Sequence, residues 1–186
     1  MKAFVTIASA AAVLLLATGS ASYAREPAAA APCSGQIHPN PGFERGTTGW
    51  TAGPRIVVVG DEARPAHNGR AFATFGGLDV TRTDLLRTSV TLPAGCKLTI
   101  RFWVRTTTTE TTRGDYLNVG FLADGVPPKT IFALSRDGNP QWYQYTASPA
   151  GIATTDRTAT LSFLASETAG NGITTFDVDD VRFTLS

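Results

Sequence analysis

The chain has 186 residues, a formal net charge of +1 and 42% hydrophobic residues, which suits one domain with its own core rather than two. The balanced charge gives no electrostatic basis for binding nucleic acid or an anionic membrane surface. Two cysteines and two histidines are too few for a cysteine-rich zinc site.

The N-terminus reads as a secretory signal peptide over residues 1–24. An apolar run at residues 10–17 precedes Ser22-Tyr23-Ala24, a cleavage site with small side chains at positions −3 and −1. The run is too short to span a membrane. Residues 25–34 are expected to form a flexible leader and residues 35–186 a single domain. We therefore expect a secreted, extracellular protein without membrane insertion, and its arginine-rich composition suggests a bacterial source.

The two cysteines, Cys33 and Cys96, lie in the part expected to be mature. A secreted chain with two cysteines most often pairs them. The expected disulfide would join the N-terminal segment to the start of a central strand.

The rest of the chain shows short β-type segments separated by turns rich in Gly, Pro, Asn and Asp, with no convincing helix. This spacing is typical of a β-sandwich. Strands are predicted at Arg55–Val59, Arg70–Phe75, Leu85–Leu92, Lys97–Thr106, Tyr116–Leu122, Thr130–Leu134, Trp142–Ala147, Thr158–Ala165 and Thr175–Leu185.

The segment 97–105 alternates most clearly between apolar and polar positions. Period-two alternation places one set of side chains in the core and the other on the opposite face. The inward set is Leu98, Ile100, Phe102 and Val104. Trp103 therefore shares the outer face with Arg101 and Arg105. By the same alternation Leu117, Val119 and Phe121 point inward, as do Tyr143 and Tyr145.

The last strand changes phase at Asp179-Asp180, because Phe176 and Val178 are out of phase with Val181, Phe183 and Leu185. A one-residue slip of this kind predicts a β-bulge. Two adjacent acids there either cap a turn or hold a cation.

Several motifs, taken in order, resemble a known fold family. They are Asn40-Pro41-Gly42-Phe43-Glu44 with Thr48-Gly49-Trp50, Pro65-Ala66-His67-Asn68-Gly69, Gly95-Cys96 leading to Phe102-Trp103-Val104, and Phe176-Asp177-Val178-Asp179-Asp180-Val181. The set resembles the galactose-binding-domain-like jelly rolls of carbohydrate-binding modules of families 4, 9 and 22. It is also similar to the C-terminal accessory domain of secreted actinobacterial peptidases. The resemblance implies an all-β jelly-roll β-sandwich of two antiparallel sheets.

The resemblance also implies a structural Ca²⁺ site with ligands from Glu44 and from Asp179 or Asp180. Calcium takes six to eight oxygen ligands, and carbonyls of the His67–Gly69 loop are candidates for the remainder. The alternative is that Glu44 is an ordinary loop acid and the aspartates cap a turn. Glu110 and Asp115 form a weaker second candidate, since acids in a polar loop are normally solvated.

A ligand face is predicted on the outside of the sandwich. Its candidate residues are Arg101, Trp103, Arg105, Tyr116, Asn118, Trp142 and Gln144. Aromatic rings stack on sugars, and planar polar side chains hydrogen-bond their hydroxyl groups. Alternatively, the neighbouring arginines cover Trp103 and leave no room for a ligand. Trp50 is expected in the core.

No catalytic constellation stands out. Only His38 and His67 could act as bases near neutral pH, and no nucleophile elbow or metalloprotease helix is present. The sequence therefore favours a non-catalytic, monomeric module that binds a polysaccharide or cell-wall glycan. The alternative partner is a secreted or cell-wall protein, bound without a sugar ligand.

Overall fold

The computed structural model describes residues 33–186, so the predicted signal peptide and residues 25–32 lie outside the described part. The described residues contain no helix, and hence none that could span a membrane. Eleven strands are present: β1 (Gly35–Gln36), β2 (Thr51–Ala52), β3 (Val57–Val59), β4 (Ala71–Gly76), β5 (Arg82–Leu92), β6 (Leu98–Thr108), β7 (Tyr116–Ala123), β8 (Val126–Ser135), β9 (Tyr143–Ala147), β10 (Arg157–Glu167) and β11 (Thr174–Leu185). All nine predicted strands are confirmed, and the two-residue strands β1 and β2 were not predicted.

The strands form two antiparallel sheets that pack face to face. The first has the order β3-β4-β11-β6-β9, with β1 pairing the far end of β11, and the second has the order β2-β5-β10-β7-β8. The architecture confirms the predicted jelly-roll β-sandwich, whose core lies between the two inner faces.

The core is aromatic at its centre. Phe102 of the first sheet meets Phe163 of the second edge to face, with ring centroids 5.2 Å apart. The predicted inward residues of β6 and β7 are all buried. Tyr145 stacks on Phe102 as expected, whereas Tyr143 is largely exposed because β9 is an edge strand.

The predicted disulfide and the predicted burial of Trp50 are both confirmed. Cys33 and Cys96 form a disulfide across 63 residues, so the last residues of the predicted leader are tied to the domain. Trp50 is 7% exposed, and its Nε1 donates to the Asn40 carbonyl at 2.9 Å.

The predicted bulge in the last strand is also present. The register between β11 and β6 shifts between Asp179 and Arg182. Asp180 has a φ of 48°, in the left-handed region that non-glycine residues seldom adopt. The bulge lies near the middle of β11 and brings two consecutive carboxyl groups against residues 67–68.

Candidate functional site

A cleft of about 420 Å³ lies on the outer face of the first sheet. Strands β6, β9 and β11 and the loop before β4 supply its walls, and the residues that line it are His67, Asn68, Arg101, Trp103, Gln144, Asp180 and Arg182. Its volume falls in the range of about 300–1,000 Å³ that is usual for small-ligand sites. Three residues of the predicted ligand face, Arg101, Trp103 and Gln144, meet here.

Strand register explains why these side chains converge. Trp103 pairs with Gln144 on one side, and Arg101 pairs with Arg182 on the other. Directly opposed residues of antiparallel strands point to the same face, with their Cβ atoms ~5 Å apart. The outward positions of three strands therefore form one continuous surface.

The indole of Trp103 is covered on one side, but not by the neighbouring arginines that the alternative to a ligand face invoked. His67 stacks on it with ring centroids 4.0 Å apart and an interplanar angle of 19°. The His67 Nδ1 lies 2.8 Å from Asp180 Oδ2, which holds the imidazole in place. Because His67 already stacks on Trp103, the indole presents at most one face to a ligand.

Two other predicted ligand residues lie on the same sheet but pack within the protein. The Arg105 guanidinium lies 4.6 Å from the Trp142 ring centroid and donates to Asp177 Oδ2 at 2.8 Å. Arg64 also donates to that carboxylate, through Nε at 3.0 Å, and Phe72 meets Trp142 edge to face. Arg105 and Trp142 thus pack on each other, Arg105 pairs with the buried Asp177, and neither residue lines the cleft.

The prediction that Tyr116 and Asn118 share this face is wrong. Both residues lie on β7, in the second sheet, and they point to the outer surface on the opposite side of the sandwich. Alternation of polar and apolar residues shows which side chains point outward, but it does not show to which sheet a strand belongs. The seven predicted residues therefore divide between two surfaces.

The three acids proposed as calcium ligands gather around one loop. Glu44 Oε1 accepts hydrogen bonds from the amides of Arg70 and Ala71 at 2.8 and 2.9 Å. Asp179 Oδ2 accepts from the amides of His67 and Asn68 at 3.0 and 3.1 Å. Both carboxylates thereby hold the segment 67–71 from either end.

Only some of the atoms that could ligate a metal ion here are of the type that a hard cation such as calcium prefers. In the described part of the chain, the group of ligand atoms that lie within 4.8 Å of one another comes from His67, Asp179 and Asp180, without Glu44. Carboxylates are the ligand type that calcium prefers, and an imidazole nitrogen is not. The carboxylates fit calcium in chemistry, while His67 belongs to the Trp103 stack.

Burial raises the pKa of the Asp179 carboxyl to about 7, and the neighbouring Asp180 carboxylate adds to this effect. The backbone amides that donate to Asp179 act in the opposite direction. Among the described residues no basic side chain forms an ion pair with it. Asp179 is thus a fully buried acid whose charge is balanced by amide dipoles alone.

The second acidic candidate has a structural explanation. Glu110 and Asp115 are 7% and 1% exposed, so they are not the solvated loop acids that the sequence suggested. Glu110 accepts from the Asp115 amide and the Thr174 hydroxyl, and Asp115 accepts from the amides of Thr168 and Thr174. These carboxylates join the β6–β7 loop to the β10–β11 loop and to Thr174, the first residue of β11.

His38, the other candidate base, lies in the core. It packs 4.5 Å from the Trp50 ring centroid, and its Nε2 lies 3.1 Å from the Thr88 hydroxyl. Burial lowers the pKa of its imidazole.

Sequence reasoning did not assign the side chains of Arg182, His67 and Asn68 to the ligand face, although all three line the cleft. Arg182 stands between the inward-pointing Val181 and Phe183, so the same alternation that placed Trp103 outward would have found it. The stacking of His67 on Trp103 depends on how the loop before β4 folds over the sheet, which no local pattern indicates.

No protein-family model matches the sequence, and no curated protein matches it. Solved structures do. A family 61 carbohydrate-binding module in complex with β-1,4-galactotriose is 21% identical and has a TM-score of 0.55, with 82% of this chain and 99% of that chain covered. The C-terminal family 22 carbohydrate-binding module of Clostridium thermocellum Xyn10B is 14% identical with a TM-score of 0.51, over 80% of this chain and 92% of that one.

A third match is part of a larger enzyme. An arabinose-bound α-L-arabinofuranosidase of family GH51 is 12% identical with a TM-score of 0.52, over 81% of this chain but 26% of the enzyme. At these identities the likeness concerns the fold, and the ligand must be argued from the site. The described part of the chain has the jelly-roll fold that these carbohydrate-binding modules share.

Proposed function

We propose that this protein is a secreted, non-catalytic module that binds a glycan in the Trp103 cleft. The observation that carries the proposal is the joint presence, in one cleft, of an aromatic ring and planar polar side chains. Trp103 offers a surface for the C–H face of a sugar ring. The side-chain amides of Asn68 and Gln144 offer both donors and acceptors for hydroxyl groups, and neither has a hydrogen-bond partner among the described residues.

The test is retention of the mature protein on insoluble polysaccharides: cellulose, xylan, chitin, β-glucan and purified bacterial cell wall. Trp103→Ala is expected to abolish retention. Tyr116→Ala is the matched control, because Tyr116 is a 38% exposed aromatic residue on the outer face of the other sheet. Equal loss in both variants, or no loss in either, would refute the assignment of the cleft, and absence of retention on any glycan would favour a protein partner.

Secretion is part of the same proposal. The disulfide supports it, because disulfides form and persist in oxidising compartments. We expect the protein recovered from culture medium to begin at Arg25. N-terminal sequencing that finds an intact Met1 would contradict the predicted cleavage.

We also propose that Glu44, Asp179 and Asp180 hold a structural Ca²⁺ ion. Support comes from the gathering of three carboxyl groups around the segment 67–71 and from the burial of Asp179 without a basic partner among the described residues. A bound cation would neutralise the carboxylate of Asp179, and it would join the loop that contains Glu44 to strand β11. Chelation with EDTA should then lower the melting temperature of the wild type.

The calcium proposal has a matched pair of variants. Glu44→Gln should reduce the effect of EDTA, whereas Glu62→Gln, at an exposed acid that is not one of the three proposed ligands, should leave it unchanged. A wild-type melt that is identical with and without chelator would remove the calcium site and leave the glycan proposal intact.

A further inference from the structure

We propose that the glycan bound in the Trp103 cleft is acidic, and that Arg101 and Arg182 bind the carboxylate of a uronic acid residue. This inference rests on the proposed function of the cleft and names the class of its ligand. It comes from the pairing of two arginines across strands β6 and β11.

Arg101 and Arg182 are directly opposed in the antiparallel ladder. Both side chains are exposed, and both line the cleft. Like charges at directly opposed positions destabilise a sheet. The pair is therefore unfavourable for the isolated fold, and an anion between the two guanidinium groups would relieve the repulsion.

The protein itself does little to neutralise this pair. Arg182 reaches Asp180 Oδ1 only at 3.4 Å, and the second oxygen of Asp180 faces His67. Arg101 has no ion pair or hydrogen bond from its side chain within residues 33–186. By contrast, Arg105 on the same sheet and Arg64 in the loop before β4 are both engaged by Asp177.

The chemistry of the two groups matches that of a uronate. A guanidinium presents a planar fork of N–H donors that suits a carboxylate, and Arg binds such groups in bidentate geometry. Trp103 lies two residues from Arg101 on the same face of β6, so a pyranose ring beside the indole would place its carboxylate toward the arginines. Gln144 stands opposite Trp103, where it would meet ring hydroxyls.

The test compares each acidic polysaccharide with its own carboxyl-reduced form. Polygalacturonate, alginate and glucuronoxylan are used, each before and after reduction of the carboxylates to hydroxymethyl groups. We expect the wild type to bind at least one native polymer. Its affinity for the reduced form of that polymer should be lower by about tenfold or more. The affinity should also fall as salt is raised, because exposed ion pairs are screened.

Single-residue variants test whether Arg101 and Arg182 cause the preference for the acidic polymer. Arg101→Gln and Arg182→Gln should each weaken binding to the acidic polymer about tenfold or more. Arg87→Gln is the matched control, because Arg87 is an exposed arginine on the second sheet and loses the same charge. Thermal melts should show all three variants folded, since the replaced side chains are exposed.

Several outcomes would overturn the inference, and they are distinguishable from failure of the proposed function. Equal binding of native and reduced polymers, with loss in Trp103→Ala, would leave a neutral-glycan site and refute the acidic one. Binding of poly-L-glutamate that matches the polysaccharide and survives Trp103→Ala would indicate an acidic polypeptide instead. Retention on no polysaccharide, acidic or neutral, would refute both.

Discussion

Asp179 gives a prediction about how stability depends on pH. Its carboxyl is 0% exposed, and burial raises its pKa from an ordinary value of 3.8 to about 7. At ~1.4 kcal/mol per pH unit, this difference corresponds to about 4 kcal/mol of unfolding free energy. Since the folded state binds the proton more tightly, the contribution is fully present below pH ~4 and is lost as pH rises to ~7.

The assay is urea unfolding in EDTA from pH 4 to pH 8, for the wild type and for Asp179→Asn. Asparagine is neutral throughout, so the wild type should lose about 4 kcal/mol relative to the variant across this range. His38 acts with the opposite sign, because burial lowers its pKa and its contribution is lost as pH falls. It is present in both proteins and cancels in the difference.

Calcium supplies a second arm of this experiment. Metal binding requires the deprotonated carboxylate, so added CaCl₂ should stabilise the wild type more at pH 7.5 than at pH 4.5. A wild-type minus variant difference that stays flat from pH 4 to pH 8 would refute the reasoning about burial at Asp179.

Three further predictions concern the scaffold. Cys33→Ala with Cys96→Ala should lower the unfolding free energy by about 4 kcal/mol, from loop closure over 63 residues; a loss below ~1 kcal/mol in urea unfolding would contradict this. His67→Ala should cost about 1 kcal/mol of stacking and shift tryptophan emission to the red, and the shift should be absent when Trp103 is already Phe. Asp177→Ala should cost about 3–5 kcal/mol because it leaves two paired arginines without their acceptor; a thermal melt close to that of the wild type would show that the pairs are dispensable.

The fold was predictable from the sequence because its signals are local. The alternation through 97–105 needs only period two to separate core from surface, and the phase change at Asp179-Asp180 is visible without any partner strand. The disulfide followed from the predicted extracellular compartment of a two-cysteine chain, where pairing is the usual state. Strands β1 and β2 were missed because two residues carry no measurable period.

The candidate site was only half predictable because sites depend on which strands are neighbours. Trp103 and Gln144 meet through the register of β6 with β9, while Tyr116 faces away on the other sheet despite an equally outward pattern. Arg105 points outward as expected but is held by the buried Asp177, a partner 72 residues away. Long-range pairing of this kind is fixed by topology and leaves no trace in the local sequence.

The most direct test of glycan binding in the Trp103 cleft is the affinity of Trp103→Ala for whichever glycan the wild-type protein retains, measured beside Tyr116→Ala by calorimetry. If the ligand lies in the Trp103 cleft, Trp103→Ala keeps a cooperative thermal melt and loses detectable binding, while Tyr116→Ala binds as the wild type does. Wild-type affinity in a folded Trp103→Ala protein would contradict the central claim that the ligand lies in this cleft.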